Sequence, residues 1–468
     1  MSTASTATDA HGRVPTGSLL LYSMITLPIA LVNLPLNMVL PAFYAKNTLV
    51  TLAAIGAVSF IARVFDAFAD PIIGYLSDRL GTRWGKRKPW VLSGAFVCAA
   101  AILFLFAPPP TADIVYYTVF CFMFYVGYAL CDVPTKAWGT ELSRFYTERS
   151  RIAIYSTVAS VLGAGGFWFA LVAQVPFTHS TEINPTVFRA IAVGAAVMLP
   201  VTAILAALFV PRGEPVADHN ASIGEMFVAI RNNRLLWRFC ALVALWNVGN
   251  GIFTSVFFIF ITDYFKLGPQ FAFLMLAYFF IQVGVLPLWL KVIRRYGKHR
   301  PGALSWALNS TLAFAVLLIE PGPGAFWPAM AITCVSAVLA GGGQVAPLAM
   351  LGDIVDYDIL KTGVNRAGTY YAIKNVLLKL CMGAGMGIGL PLIAAFGYKY
   401  GQPITPSGKT GLLLAYLVLP AIFSYAAAAL SWNFPLDARR HEIVRRRIEQ
   451  RAHRASVAAA RAPVVATH

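Results

Sequence analysis

Twelve long apolar runs leave this chain few folds to choose from. They fall at roughly 17–44, 49–76, 89–108, 112–138, 152–176, 187–210, 237–262, 269–292, 302–320, 325–350, 369–396 and 410–432. Each is close to the ~20 residues a helix needs to cross the ~30 Å hydrocarbon core of a bilayer. Within lipid every backbone N–H and C=O must find its partner inside the protein, so spanning runs of this kind are helices. Composition agrees, with 58% hydrophobic and 12% charged residues where a soluble domain carries about a quarter charged. The sequence therefore predicts an all-α integral membrane protein of twelve transmembrane helices.

The net charge of +17 does not point to nucleic acid, because the basic residues flank alternate apolar runs. Arg79, Arg83, Lys86, Arg87 and Lys88 follow the second run, and Arg144, Arg149 and Arg151 follow the fourth. Arg294, Arg295, Lys298 and Arg300 follow the eighth, and Lys361 and Arg366 the tenth. The intervening loops hold only Lys46, Lys266, Lys399 and Lys409. Since short cytoplasmic loops collect Lys and Arg, both termini are expected in the cytoplasm of a multi-pass protein of the bacterial inner membrane. The basic tail beyond Asp437 fits a solvated or lipid-facing segment. Cys98, Cys121, Cys131, Cys240, Cys334 and Cys381 all lie within apolar runs without a CxxC pair, so no disulfide or metal site is expected. The polar start and the long first run give no sign of a cleavable signal peptide.

The chain also repeats itself. GKRKP at Gly85–Pro89 returns as GKHRP at Gly297–Pro301, and PTKAWG at Pro134–Gly139 returns as PLAMLG at Pro347–Gly352. A glycine cluster at Gly163, Gly165 and Gly166 has its counterpart at Gly383, Gly385, Gly387 and Gly389. A near-constant offset over three positions predicts two six-helix halves, a build used by carriers whose halves rock about a central site. The expected organisation is a tail at 1–16, a bundle at 17–210, a linker at 211–236, a second bundle at 237–432 and a basic tail at 433–468.

Charges inside the runs are few. The stretch RVFDAFADPIIG holds Arg63, Asp66 and Asp70, which lie close to one helical stripe. A charge at bilayer depth costs several kcal/mol, so these groups need a partner or a use. The first half adds Asp132 and Lys136; the second holds Lys374 and Lys379, with Asp263 near the outer end of the seventh run. A purely structural ion cluster is one explanation. Carboxylates in one half and amines in the other better suit a carrier in which cation and solute share a cavity between halves than a channel filter.

RVFDAFADPIIG at 63–74, GTRWGKRKPW at 81–90, CDVPTKAWGTEL with TERSR at 131–151, and GDIVDYDILKTGVNRAGTYYAIKNVLLKL at 352–380 carry a resemblance. Over nearly its whole length the chain resembles the glycoside–pentoside–hexuronide:cation symporters of the major facilitator superfamily, typified by the melibiose permeases. The resemblance implies uptake of a sugar or related solute driven by sodium, lithium or protons. It makes Asp66 and Asp70 the two cation-coupling carboxylates, Asp132 the carboxylate facing both sugar and cation, and Lys379 a lysine near the cation site.

Departures from the family pattern narrow the reading. Members that take sodium tend to carry an amide just before the second aspartate and a hydroxyl one turn before the fourth-helix aspartate; here those positions are Ala69 and Ala129. Hard cations need several oxygens around them, whereas a proton needs one carboxylate able to accept it. Protons are therefore expected in preference to sodium. The helix 1 acid of sugar permeases is missing, and Asn33 and Asn37 are the polar residues there. Lys136 replaces an aromatic residue one turn after Asp132. Trp246, Asn247 and Asn250 are candidates to hold a sugar, while Lys136, Lys374 and Lys379 suit a carboxylate, as in a uronide. Pairing with Asp132 alone is the other reading of Lys136.

At the basic loops, Asp78, Arg79, Arg83, Lys86, Glu141, Arg149 and Asp353 are candidates for a cytoplasmic gate whose bonds hold the outward-open state. An enzyme is not expected, for the chain has no HExxH, GxSxG or P-loop and no soluble catalytic domain. No cofactor is expected, and the partners are a small solute, H+ and the bilayer, with the protein acting as a monomer. A carrier of a lysolipid or other amphiphilic anion on the same fold is the alternative.

Overall fold

A computed structural model describes residues 13–82, 84–143, 145–178, 180–213, 231, 233–362, 366–436, 442–444, 446–447 and 450. Most of the expected N-terminal tail, most of the 211–236 linker, most of the basic C-terminal tail and Arg83 therefore lie outside the described residues. Twelve helices are long and apolar enough to span a bilayer among those residues: α1 Thr16–Met38, α2 Leu52–Arg79, α3 Lys88–Phe106, α4 Ile114–Glu141, α5 Thr147–Ala173 and α6 Pro185–Phe209, followed by α7 Arg234–Tyr264, α8 Gly268–Tyr296, α9 His299–Leu318, α10 Phe326–Thr362, α11 Ala367–Ala395 and α12 Pro406–Trp432. No strand occurs among them.

Most helix bounds fall within a few residues of expectation. The exception is α10, which runs twelve residues past the predicted end, to Thr362. Hydropathy ends where Asp353, Asp356 and Asp358 begin, but Ile354, Val355 and Asp358 still face inward, so the helix continues beyond the apolar run. The first run is also less regular than its length suggests. Pro35 inside α1 cannot donate a backbone bond, and the chain shifts at Val39 before a short helix Leu40–Asn47.

The pairing of helices displays the duplication. In the first half α1 packs on α5, α2 on α4, and α3 on both α4 and α6. In the second half α7 packs on α11, α8 on α10, and α9 on both α10 and α12. Each second-half contact is its first-half counterpart moved on by six helices. The contacts between halves obey the same symmetry, with α2 against α11 and α5 against α8.

Glycines let α11 approach two neighbours at once. A Cβ at Gly383 would lie 2.6 Å from Arg63 Cβ, and one at Gly387 2.9 Å from Phe60 Cβ, both on α2. On the adjoining face a Cβ at Gly385 would lie 2.5 Å from the Val248 carbonyl oxygen of α7. Small residues at such crossings let backbones pack closely where lipid offers no hydrophobic drive. Large apolar side chains such as Phe68, Ile72, Phe96, Val197 and Leu288 remain on the outside, as a lipid-facing surface requires.

Candidate functional site

Where α2 meets α11, the predicted charges gather. The helical stripe brings Arg63 to Asp66, with Nη1 3.7 Å from Oδ2. Asp66 is fully buried and Arg63 nearly so. Arg63 also reaches α1, where Nη2 donates to Asn37 Oδ1 at 2.5 Å, and its guanidinium lies 4.9 Å from the centre of the Tyr125 ring on α4. Asn37 in turn donates to the Asn33 carbonyl oxygen at 2.7 Å. A buried guanidinium needs such acceptors, because desolvating it unpaired is costly. Asn37 was expected to face solute; its amide is instead committed to Arg63 and Asn33.

Lys379 of α11 enters this cluster from the other half. Its Nζ donates to Asp70 Oδ2 at 2.6 Å and lies 2.9 Å from Asp66 Oδ2, a charge contact without hydrogen-bond alignment. One ammonium thus answers two carboxylates and joins the halves at the middle of the α2–α11 contact. The Tyr128 ring on α4 stands 5.8 Å from the same nitrogen. Asp132 lies on α4 with Lys136 Nζ 2.6 Å from Oδ2. The Lys136 side chain is 73% exposed and that of Asp132 15%. Lys374 stands on α11 five residues before Lys379, with Nζ 3.4 Å from Asn375 Oδ1.

Ala69 and Ala129 are packed with Ile73 in a small apolar cluster between α2 and α4, beside Leu130 and Val133. Neither alanine offers a side-chain oxygen. Among the described residues no group of three or more His, Cys, Asp or Glu is arranged to hold a metal ion.

Other candidates lie elsewhere. Trp246 stacks on Trp306 within the second half, with centroids 5.5 Å apart and planes at 27°. Asn247 is buried and donates to the Val243 carbonyl oxygen of its own helix at 2.7 Å, while Asn250 is half-buried. Asp263 is remote from the central cluster. It sits at the end of α7, bonded by Lys266 at 2.9 Å and by the Tyr398 hydroxyl at 2.5 Å. Burial first, and then the bond to Asp263, push the Tyr398 hydroxyl far above the usual phenol range. Lys266 adopts a left-handed backbone (φ 58°), the one described non-glycine residue to do so.

The end of the molecule opposite the termini is closed. Thr181, between α5 and α6, donates its Oγ1 and its backbone N–H to the Pro269 carbonyl oxygen at 2.8 and 3.0 Å, and its Oγ1 accepts from the Ala272 N–H at 3.3 Å. Trp168 of α5 meets Phe271 of α8 edge-on, with ring centres 5.6 Å apart. Gly56 of α2 abuts Pro391 and Leu390 of α11. A cleft of about 250 Å3 remains there, lined from both halves by Lys46, Glu182, Asp263, Lys266 and Tyr400 among others.

At the terminal end the described charge pairs close within each half. Arg87 Nε donates to Glu141 Oε1 at 2.8 Å and its Nη2 pairs with Asp78, tying the start of α3 to α4 and α2. Burial works against the Arg87 charge, but the bonds to Glu141 and Asp78 outweigh it and hold the guanidinium above its usual range. In the second half Lys298 Nζ bonds Asp353 Oδ1 at 2.5 Å, tying the start of α9 to α10. Of the other gate candidates, Arg79 lies over the Tyr75 ring, Lys86 is exposed, and Arg149 donates to the Ser143 carbonyl oxygen. The loop cations were expected to bridge the halves; in this conformation Glu141 and Asp353 serve as anchors inside them. Arg87, the residue that holds Glu141, was legible only as one more basic residue in its loop.

Known proteins share this build. A family model described as MFS/sugar transport protein matches residues 21–438. An uncharacterized symporter, YnaJ, of Bacillus subtilis (strain 168) is 23% identical over 418 residues, covering 87% of this chain and 89% of its own. A glucuronide carrier protein homolog of Escherichia coli (strain K12) is 24% identical over 423 residues, covering 86% and 89%. Among solved structures, a mutant form of the nucleoside transporter NupG superposes with a TM-score of 0.63 at 15% identity, covering 88% of this chain and 99% of that one. That likeness speaks to the fold alone.

Proposed function

On the premise that this chain belongs to the MFS/sugar transport protein family, and so is a multi-pass membrane transporter and not an enzyme, we propose that it is a proton-coupled symporter of a sugar or sugar acid working by alternating access. The observation that carries the reading is the hold of Lys379, from one half, on Asp70 and Asp66 of the other. A hydrogen bond to a charged group is worth about 1.5–3 kcal/mol, enough to bias the halves by an order of magnitude or more. A proton taken up by Asp70 removes the charge that Lys379 serves, loosening α2 from α11 where the halves meet. Solute bound near Asp132 then shares the energetics of the same joint. The coupling ion and the solute act on one mobile contact, as symport requires.

Protons are preferred to sodium because Ala69, next to Asp70 in sequence, and Ala129, one turn before Asp132, pack on Ile73 and offer no oxygen to a hard cation. By the positive-inside rule the termini face the cytoplasm, so the closed end faces outward and the described charge pairs on the inward side leave the two halves unbridged there. The N-terminal bundle then spans 17–210 and the C-terminal bundle 237–432. The solute class is supported by the names of similar proteins, among them a glucuronide carrier homolog and a lactose permease.

The test is uptake of a labelled glycoside panel into proteoliposomes under imposed proton or sodium gradients. Accumulation is expected with an inward proton gradient, and Asp66→Asn should abolish it while downhill exchange persists. Uptake that is strictly sodium-dependent and indifferent to the pH gradient would sink the proton assignment.

A further inference from the structure

We infer that Lys136 and Lys374 form a two-sided clamp for the anionic group of the solute, so that the cargo is a sugar acid and not a neutral sugar. The inference deepens the symport reading above and rests on it.

The cavity charges do not balance. Arg63 and Lys379 are engaged with Asp66 and Asp70, and Lys136 with Asp132. Lys374 is left over. Among the described residues it has no carboxylate partner, and its Nζ meets only Asn375 Oδ1 at a long 3.4 Å. Four cations thus stand against three carboxylates at the joint between the halves. Water reaches this ammonium in the conformation described, but a conformation shut on the terminal side would strip that water away and leave the charge costly unless an anion travels with it.

Position says what answers it. Lys136 lies four residues beyond Asp132 on α4, and Lys374 five residues before Lys379 on α11. At 1.5 Å per residue, both lie about 6–8 Å nearer the terminal end than the carboxylates. Lys379 Nζ stands 5.8 Å from the Tyr128 ring, which sets α11 against α4, and the two lysines lie on the terminal side of that crossing, one from each half. Lysine nitrogens only donate, whereas a sugar hydroxyl both donates and accepts, so a donor-only pair is a poor match for a neutral ring and a good one for an acceptor-only carboxylate. The exposure of the Lys136 side chain, at 73%, leaves it able to share itself between Asp132 and a ligand.

Purified protein in nanodiscs is titrated calorimetrically with methyl β-D-glucuronide and methyl β-D-glucoside, which differ by one carboxylate. The wild type should bind the glucuronide at least ten-fold more tightly, by a margin that shrinks at high ionic strength. Lys374→Gln should cut that ratio ten-fold or more, and Lys374→Arg should restore most of it. Equal or tighter binding of the glucoside, or a ratio unchanged in a folded Lys374→Gln protein, would overturn the inference while leaving sugar symport standing. Tighter binding of lysophosphatidic acid than of the glucuronide would overturn it in favour of an amphiphile. Binding of no glycoside, together with no gradient-driven glycoside uptake, would overturn the symport reading and the clamp with it. Should Lys374→Gln not fold, the wild-type preference and its salt dependence decide the matter.

Discussion

Thr181→Val tests how firmly the closed end is held. The threonine is 1% exposed and bridges the halves through three hydrogen bonds, two of which use its hydroxyl. Valine keeps the volume and the backbone bond to Pro269 but loses the hydroxyl as donor and as acceptor. At a net value of about 1 kcal/mol each, the two lost bonds destabilise this conformation by about 2 kcal/mol. When the end opens, water satisfies the same groups, so the loss falls on the closed state alone. The equilibrium should move about thirty-fold towards the conformation open at that end. Spin labels on Leu49→Cys and Gln402→Cys, both exposed and on opposite halves, in a background lacking the six native cysteines, would report it. Double electron–electron resonance should show a longer-distance population growing in Thr181→Val and not in Thr181→Ser. Identical distributions in wild type and Thr181→Val would refute the view that this bridge holds the halves together.

Two further substitutions probe the central joint. Gly383→Leu places carbon 2.6 Å from Arg63 Cβ and should cost about 1–3 kcal/mol by overpacking. It should lower the melting temperature in detergent, whereas Gly194→Leu, with nothing within 4 Å, should not; equal melting of the two would remove the close-approach argument. Asn37→Leu strips the acceptor from Arg63 Nη2, a bond to a buried charge worth about 1.5–3 kcal/mol. A fall in thermal stability is expected, with Asn37→Asp milder, and an unchanged melting curve would mean that Arg63 is satisfied without α1.

Much of this architecture was legible in the residues, for physical reasons. Lipid forces spanning runs into helices, so hydropathy alone located twelve, and it erred most where α10 carries its charges on a helix that continues past its apolar run. The stripe of Arg63, Asp66 and Asp70 followed from helical period. What period cannot give is a partner on another element. Asn37 looked like a solute ligand because nothing local showed that Arg63, 26 residues on, claims its amide. Asn247 looked polar enough for a cavity, yet it bonds its own backbone. Thr181 gave no signal at all, since a lone threonine in a polar loop is ordinary until its neighbour across the joint is known. Lys379 was singled out by resemblance, but only three-dimensional geometry gives its grip on two carboxylates of the other half.

The paired anchors at the terminal end bear on how the molecule came to have two halves. Glu141 and Asp353 lie 212 positions apart, one short of the 213 at which the adjoining Pro134–Gly139 returns as Pro347–Gly352. Their cationic partners are displaced likewise, for Arg87 and Lys298 lie 211 apart where GKRKP becomes GKHRP at 212, so Lys298 corresponds to Lys86 while Arg87 does the work in the first half. A long acid met by arginine in one copy has become a short acid met by a lysine one residue earlier in the other. The seam between two neighbouring helices is thus common to both halves although each member of its fastener sits one place out of register, and aligning the copies letter by letter would assign the role to Lys86 and Thr140.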